Sequence, residues 1–118
     1  MNTTVRNCLS KADKTKLDKI TKACCEYYEL TEKELMQTNS RSVTKVRQYA
    51  CYLLHINIPT LSDRAMAEIF GKAKSTIQYG LETIEAHSRV YADTHTALQK
   101  IAEIANKESA PEQTIIIG

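Results

Sequence analysis

Glycine and proline are scarce in this sequence of 118 residues, which contains only three glycines and two prolines. Because these residues interrupt helices and strands, their scarcity predicts long regular elements joined by few loops. Long apolar runs are also absent: no run approaches the roughly 20 residues that a membrane-spanning helix needs. The first ten residues have no apolar run behind Arg6, so we expect no secretory signal and a cytoplasmic protein that does not enter a membrane.

The four cysteines and three histidines lack the spacing of a metal site. Cys24 and Cys25 are adjacent, which suits neither a CxxC redox motif nor tetrahedral zinc. A helical domain of this size buries enough surface without disulfides, so we expect small, buried or half-buried thiols at Cys8, Cys24, Cys25 and Cys51. No nucleophile–base pair or paired carboxylate motif stands out either. We therefore expect no enzyme, no metal or other cofactor, and no small-molecule substrate.

The net charge of +2 is divided unevenly along the chain. Residues 41–79 contain six Lys or Arg and two acidic residues, a net charge of +4, whereas residues 80–118 contain three and six, a net charge of −3. A basic middle beside an acidic end is typical of a protein with one phosphate-facing surface. Ordinary solvated surface charge also produces such a division, so charge alone does not decide.

Apolar residues recur at helical spacing along most of the chain. The pattern predicts a helix after a Ser10 cap, a short helix opened by the capping box of Thr31 and Glu34, and a long helix from about Val43 to His55. Further helices are predicted from Ser62 to Phe70, from Lys74 or Ser75 onward, and after a cap at Asp93.

We therefore expect an all-α fold, a compact helical domain of about five to six helices containing a helix-turn-helix. It should occupy residues 11–106, between a flexible N-terminus at residues 1–10 and a flexible tail at residues 107–118. The β-branched run Thr114–Ile117 could instead pair with a strand or pack on a partner, but we expect a disordered end.

The segment from Ala65 to Ile84 has the spacing of a DNA-binding helix-turn-helix. Such a unit needs a small residue in the first helix, a residue tolerant of positive φ in the turn, and an apolar residue that fixes the second helix to the core. Ala67, Gly71 and Ile77 satisfy these three requirements. A helical hairpin that merely packs is the alternative.

The outer face of the second helix offers Lys74, Ser75, Gln78, Tyr79 and Glu82 to base edges and phosphates. Near its start the hydroxyl of Thr76 and the free backbone amides suit a phosphate. A second basic cluster, at the start of the long helix, is either a solvated face or a clamp on the DNA backbone. It consists of Arg41, Lys45 and Arg47.

Several segments resemble the C-terminal duplex-binding domain of the bacterial replication initiator DnaA. They are residues 26–28, Leu35, residues 40–48 with the sequence SRSVTKVRQ, and residues 70–77 with the sequence FGKAKSTI. Their order and spacing agree from about Leu17 to Ile104. The resemblance implies an all-helical domain. The second helix of its helix-turn-helix enters the major groove, and an arginine from the loop before the long helix enters the adjacent minor groove.

By position, the resemblance implies that Lys45 and Arg47 lie near phosphates and that Lys72 takes the place of the arginine that opens the recognition helix. Ser75 and Thr76 match two threonines that touch a thymine methyl group and a phosphate.

The turn departs from the family pattern. One glycine is missing, Ala73 replaces a base-reading Asp, and Lys74 replaces a His. Asn39 occupies the place of the minor-groove arginine, and Arg41 is its nearest substitute. We therefore expect a target other than the initiator's standard box.

A phosphate loop cannot be assembled from three scattered glycines, so we expect no ATPase part. We predict a stand-alone, monomeric protein that binds double-stranded DNA and acts in bacterial replication initiation and its control or in transcription regulation. A dimer is the alternative oligomeric state. The alternative is a protein-interaction module that kept the fold but lost DNA reading.

Overall fold

The computed structural model describes residues 9–107 and 114–117. In this part of the chain there are six helices and no strand. The helices are α1 (Lys11–Tyr28), α2 (Glu32–Gln37), α3 (Arg41–Asn57), α4 (Asp63–Phe70), α5 (Lys74–Val90) and α6 (Ala92–Ala105). The all-α prediction is confirmed. Residues 1–8 of the predicted flexible N-terminus lie outside the described part of the chain.

Short polar side chains start the first four helices. Ser10, Ser40 and Ser62 each accept a hydrogen bond from the backbone N–H three residues later, as the sequence predicts for Ser10 and Ser62. At α2 the capping box is complete: Thr31 Oγ1 accepts from the Glu34 N–H, and Glu34 Oε1 accepts from the Thr31 N–H.

The last two helices begin without a side-chain cap. Tyr91 ends α5 and also precedes α6, so no loop separates the two helices. The prediction that Asp93 caps the last helix is therefore wrong, because Asp93 lies inside its first turn.

The core lies where α1 packs against α6 and α3, and α3 packs against α5. Its largest side chains are fully buried aliphatic residues, each contributing roughly 1.5–3 kcal/mol to the free energy of unfolding. Examples from four helices are Leu17, Ile20, Leu53, Leu54, Ile84 and Ile101.

The three described cysteines are free thiols, as expected, and Cys8 lies outside the described residues. Cys24 and Cys51 are buried and Cys25 is half-buried. Burial raises the pKa of the Cys24 and Cys51 thiols, which keeps them protonated. Among the described helices, none combines the length and apolarity that a bilayer crossing requires.

Residues 114–117 differ from the flexible tail that the sequence predicts. Ile115 is only 3% exposed and belongs to the core. Asn57 and Asn106 bond the backbone of this segment to the ends of α3 and α6. The segment is held because it combines an apolar side chain with satisfied backbone groups; residues 108–113 and 118 lie outside the described part.

Candidate nucleic-acid interface

The turn between α4 and α5 consists of residues 71–73. Gly71 adopts the left-handed conformation, with φ 63° and ψ 38°. The Gly71 N–H donates to Glu68 O over 3.4 Å and the Lys72 N–H donates to Ala67 O over 2.9 Å, which together make a Schellman end. Ala67 and Ile77 are buried on either side of the turn. The three-residue pattern of the sequence thus produces a tight helix-turn-helix.

The inner side of α5 rests closely on α3. Ile77 is buried, and Gly80 approaches Gln48 so nearly that an added Cβ would lie 3.1 Å from Gln48 Cγ. A larger residue at position 80 would displace α5 or the Gln48 side chain. The packing therefore fixes which face of α5 points outward.

The outward face carries an exposed polar surface that we call the α5 ridge. Tyr79 is 66% exposed, and Gln78 Nε2 donates a long hydrogen bond of 3.4 Å to Asp63 Oδ2. Glu82 lies one turn further on, so the cationic end of the ridge is at the start of the helix. The α5 ridge comprises Lys74, Ser75, Thr76, Gln78 and Tyr79, all exposed as the sequence predicts.

The start of α5 has backbone donors that no side chain caps. Ala73 is the N-cap residue and has no side-chain acceptor, while the Ile77 N–H makes the first intrahelical bond, to Ala73 O over 3.2 Å. The backbone N–H groups of the first turn of α5 lie at the positive end of the helix dipole. An anion such as a phosphate satisfies these donors well.

Lys72 connects the turn to the loop that precedes α3. Its Nζ donates to Asn39 Oδ1 over 3.1 Å, and its side chain is half-buried. The sequence indicated Lys72 as a DNA contact and Asn39 as the replacement of a minor-groove arginine. The structure brings the two residues together, a pairing that sequence spacing across 33 positions could not predict.

Arg41 and Lys45 are exposed one turn apart at the start of α3. They share a face, as the sequence predicts, so one phosphate backbone can contact both.

The structure corrects the prediction that Arg47 contacts a phosphate. Arg47 is only 6% exposed; its Nε donates to Leu35 O over 2.8 Å, and its Nη2 donates to Thr38 O. Burial lowers the pKa of its guanidinium group. The side chain points inward because it supplies donors to carbonyl groups at the end of α2, which the helix itself leaves without partners. Arg47 thus holds the loop before α3 in place.

A known family matches the part of the chain that has this geometry. Residues 17–84 match the family model described as the bacterial dnaA protein helix-turn-helix, which covers more than half of the chain. Neither a curated protein nor a solved structure matches the chain. The matched range includes α3, the α4–α5 turn and the α5 ridge. The chain therefore belongs to the bacterial DnaA helix-turn-helix family, a family of DNA-binding domains.

Proposed function

We propose that this chain binds double-stranded DNA in a sequence-specific manner, with α5 in the major groove, and that it acts in bacterial replication control or transcription regulation in the cytoplasm. The observation that carries the proposal is the exposed α5 ridge, which Ile77 and Gly80 support from below. A B-form major groove, about 12 Å wide, admits one α-helix.

The ridge supplies the groups that read base edges. The Gln78 amide has a donor and an acceptor, which suit the N7 and N6 atoms of adenine. Tyr79 and Ser75 offer hydroxyl groups, and Lys74 at the first turn is suited to guanine acceptors or a phosphate. Because the Gln78 bond to Asp63 is long and exposed, DNA can replace it at little cost.

Phosphate contacts come from two places in the fold. The uncapped start of α5 provides backbone N–H groups and the Thr76 hydroxyl. Arg41 and Lys45 add charge from the start of α3, and each phosphate that a cation neutralises adds about −0.9 to the slope of log affinity against log salt concentration. Arg47 is not part of this set, since its donors are used inside the domain.

The target differs from the initiator's standard box. Ala73 has no carboxylate to accept a hydrogen bond from a cytosine amino group, and the Lys72 ammonium group already bonds to Asn39. These two replacements remove or redirect contacts at the first bases that α5 reaches.

Fluorescence anisotropy with a pool of labelled random duplexes at low salt tests the proposal. We expect Lys74→Glu and Lys45→Glu each to weaken binding roughly tenfold, because they place a negative charge against a phosphate. Lys22→Glu is the matched control: it makes the same charge change on the exposed side of α1, which packs on α3 and α6, and should cost much less.

Selection of bound duplexes from the same pool then tests sequence specificity. A common motif supports the proposal, whereas binding without any motif contradicts the sequence-specific part. Absence of binding to the pool by the folded chain would reject DNA recognition and favour a protein-interaction module.

A further inference from the structure

The ends of α3 and α6 form a second site, distinct from the α5 ridge. Asn57 is the last residue of α3, and Asn106 is the residue that ends α6. Residues Thr114–Ile117 lie between them. We propose that this place is a binding site for an extended peptide, which we call the asparagine slot, and that the chain's own segment Thr114–Ile117 is its ligand.

Each asparagine binds both polar backbone groups of one residue. Asn106 Oδ1 accepts from the Ile115 N–H over 2.6 Å, and Asn106 Nδ2 donates to Ile115 O over 2.9 Å. Asn57 does the same for the next residue: Oδ1 accepts from the Ile116 N–H over 2.8 Å, and Nδ2 donates to Ile116 O over 2.9 Å. A side-chain amide pairs in this way as a neighbouring strand would.

The alternation between the two asparagines identifies the conformation that the slot binds. In an extended chain, the N–H and C=O of one residue point to one side and those of the next residue point to the other. The groups of Ile115 face Asn106 and those of Ile116 face Asn57, so the peptide lies between the two side chains. The slot therefore selects an extended backbone, without regard to most side chains.

Side-chain selection comes from one inward position. Ile115 is 3% exposed, Ile116 is 51% exposed, and Ile117 is half-buried, as the two faces of an extended segment require. A β-branched aliphatic residue at the first position fills the core and also favours the extended conformation. The ligand class is thus an extended peptide with an aliphatic residue at the first of the two clamped positions.

The slot is held in shape before the peptide arrives. Asn57 is 5% exposed, and its Nδ2 also donates to Leu53 O over 2.8 Å. The backbone carbonyl group of Asn57 accepts a hydrogen bond from Lys16 Nζ over 3.2 Å. The bond to Leu53 orients the amide so that its acceptor and one donor are directed at the peptide, and the Lys16 bond ties the end of α3 to α1.

The chain's own segment is the favoured occupant because it follows α6 closely in the sequence. Ile115 follows Asn106 by nine positions, and closing a loop of that length costs little entropy compared with recruiting a separate molecule. The slot lies at the opposite end of α3 from Arg41, about 25 Å away for a helix of 17 residues. Peptide and DNA can therefore bind at the same time.

Hydrogen exchange followed by NMR on the full chain is the first test. We expect the amides of Ile115 and Ile116 to exchange at least ~100-fold more slowly than in the free peptide Gln-Thr-Ile-Ile-Ile-Gly. Asn106→Ala should accelerate exchange at Ile115 about tenfold more than within α3, and Gln99→Ala, the matched control at an exposed amide of α6, should change neither. Free-peptide exchange rates in the unaltered chain would overturn the proposal.

Peptide binding is the second test. The full-length variant Ile115→Asp, which expels its own segment, should bind the labelled peptide at least ~10-fold more tightly than the unaltered chain, and adding Asn106→Ala should remove the gain. Equal binding to both chains, with circular dichroism showing the variant folded, would overturn the proposal.

If the variant does not fold, the exchange measurement decides alone. Sedimentation at micromolar concentration supplies the remaining outcome: protected amides in a monomer support the assignment to the chain's own segment. Protected amides in a dimer would overturn it in favour of exchange between two copies.

Discussion

Two corners of the molecule end a helix in the same way and begin the next helix differently. At the end of α1, Glu29 adopts a left-handed conformation with φ 54°, and the Leu30 N–H donates to Cys25 O over 2.9 Å. At the end of α4, Gly71 has φ 63°, and the Lys72 N–H donates to Ala67 O over the same distance. The first corner thus accepts a strained non-glycine residue, whereas the second uses the residue best suited to the conformation.

The two corners differ most where the next helix starts. The capping box of Thr31 and Glu34 satisfies backbone donors at α2, whereas Ala73 leaves the start of α5 without a side-chain cap. A corner that only connects helices fulfils its hydrogen bonding within the domain. The corner in the family's DNA-binding unit keeps the turn rigid and leaves its donors available to a ligand.

The largest expected effect is at the α4–α5 corner. Gly71→Ala should lower the free energy of unfolding by about 1–2 kcal/mol, because a Cβ is unfavourable at positive φ although nothing lies within 4 Å of it. Urea denaturation measures the change, and Glu29→Ala is the matched control, since it exchanges one non-glycine residue for another at the equivalent position. A loss as large in the control would mean that the two corners do not differ in strain.

Adding a cap to α5 should have the next largest effect. Ala73→Ser should raise the free energy of unfolding by about 1 kcal/mol, because its hydroxyl can accept from the Thr76 N–H. Duplex affinity should fall a few-fold, since that N–H can no longer serve a phosphate freely. Denaturation and anisotropy measure the two changes, with Ala73→Val as a control that lacks the acceptor; a gain in both stability and affinity would contradict the distinction between the corners.

The smallest effect is expected at the α1–α2 corner. Glu29→Gly should raise the free energy of unfolding by about 0.5–1 kcal/mol, because relief of left-handed strain exceeds the entropy that glycine adds to the unfolded chain. Thermal unfolding measures this gain, and duplex affinity should not change because Glu29 is not part of the α5 ridge or of the basic start of α3. An unchanged or lower stability would show that Glu29 compensates its strain by other interactions.

Features that depend on neighbours in the sequence could be predicted, and those that depend on distant elements could not. The Ser10, Thr31 and Ser62 caps and the Gly71 stop follow from a few adjacent residues, so they agree with the structure. Arg47 has the sequence pattern of a surface cation. Its inward position arises from carbonyl groups of α2 that are close only after folding.

The asparagine slot shows the same limit more clearly. Asn57 and Asn106 look like ordinary polar residues at helix ends, and Thr114–Ile117 looks like a disordered end. Each gains its role only because the end of α3 and the end of α6 both lie within hydrogen-bonding distance of the same segment. A cluster of three isoleucines near an otherwise polar end was the one available signal, and the sequence alone left its partner open.

The close contact between Gly80 and Gln48 means that the buried face of α5 holds the helix in place, while its outer face is free to contact DNA. Because Ile77, Gly80 and Leu81 anchor the helix, side chains on the outer face can be exchanged with little effect on folding. A library that varies positions 75, 78 and 79 while keeping this underside should therefore yield mostly folded proteins with altered base preferences. The domain can therefore serve as a scaffold for variants that recognise new target sequences.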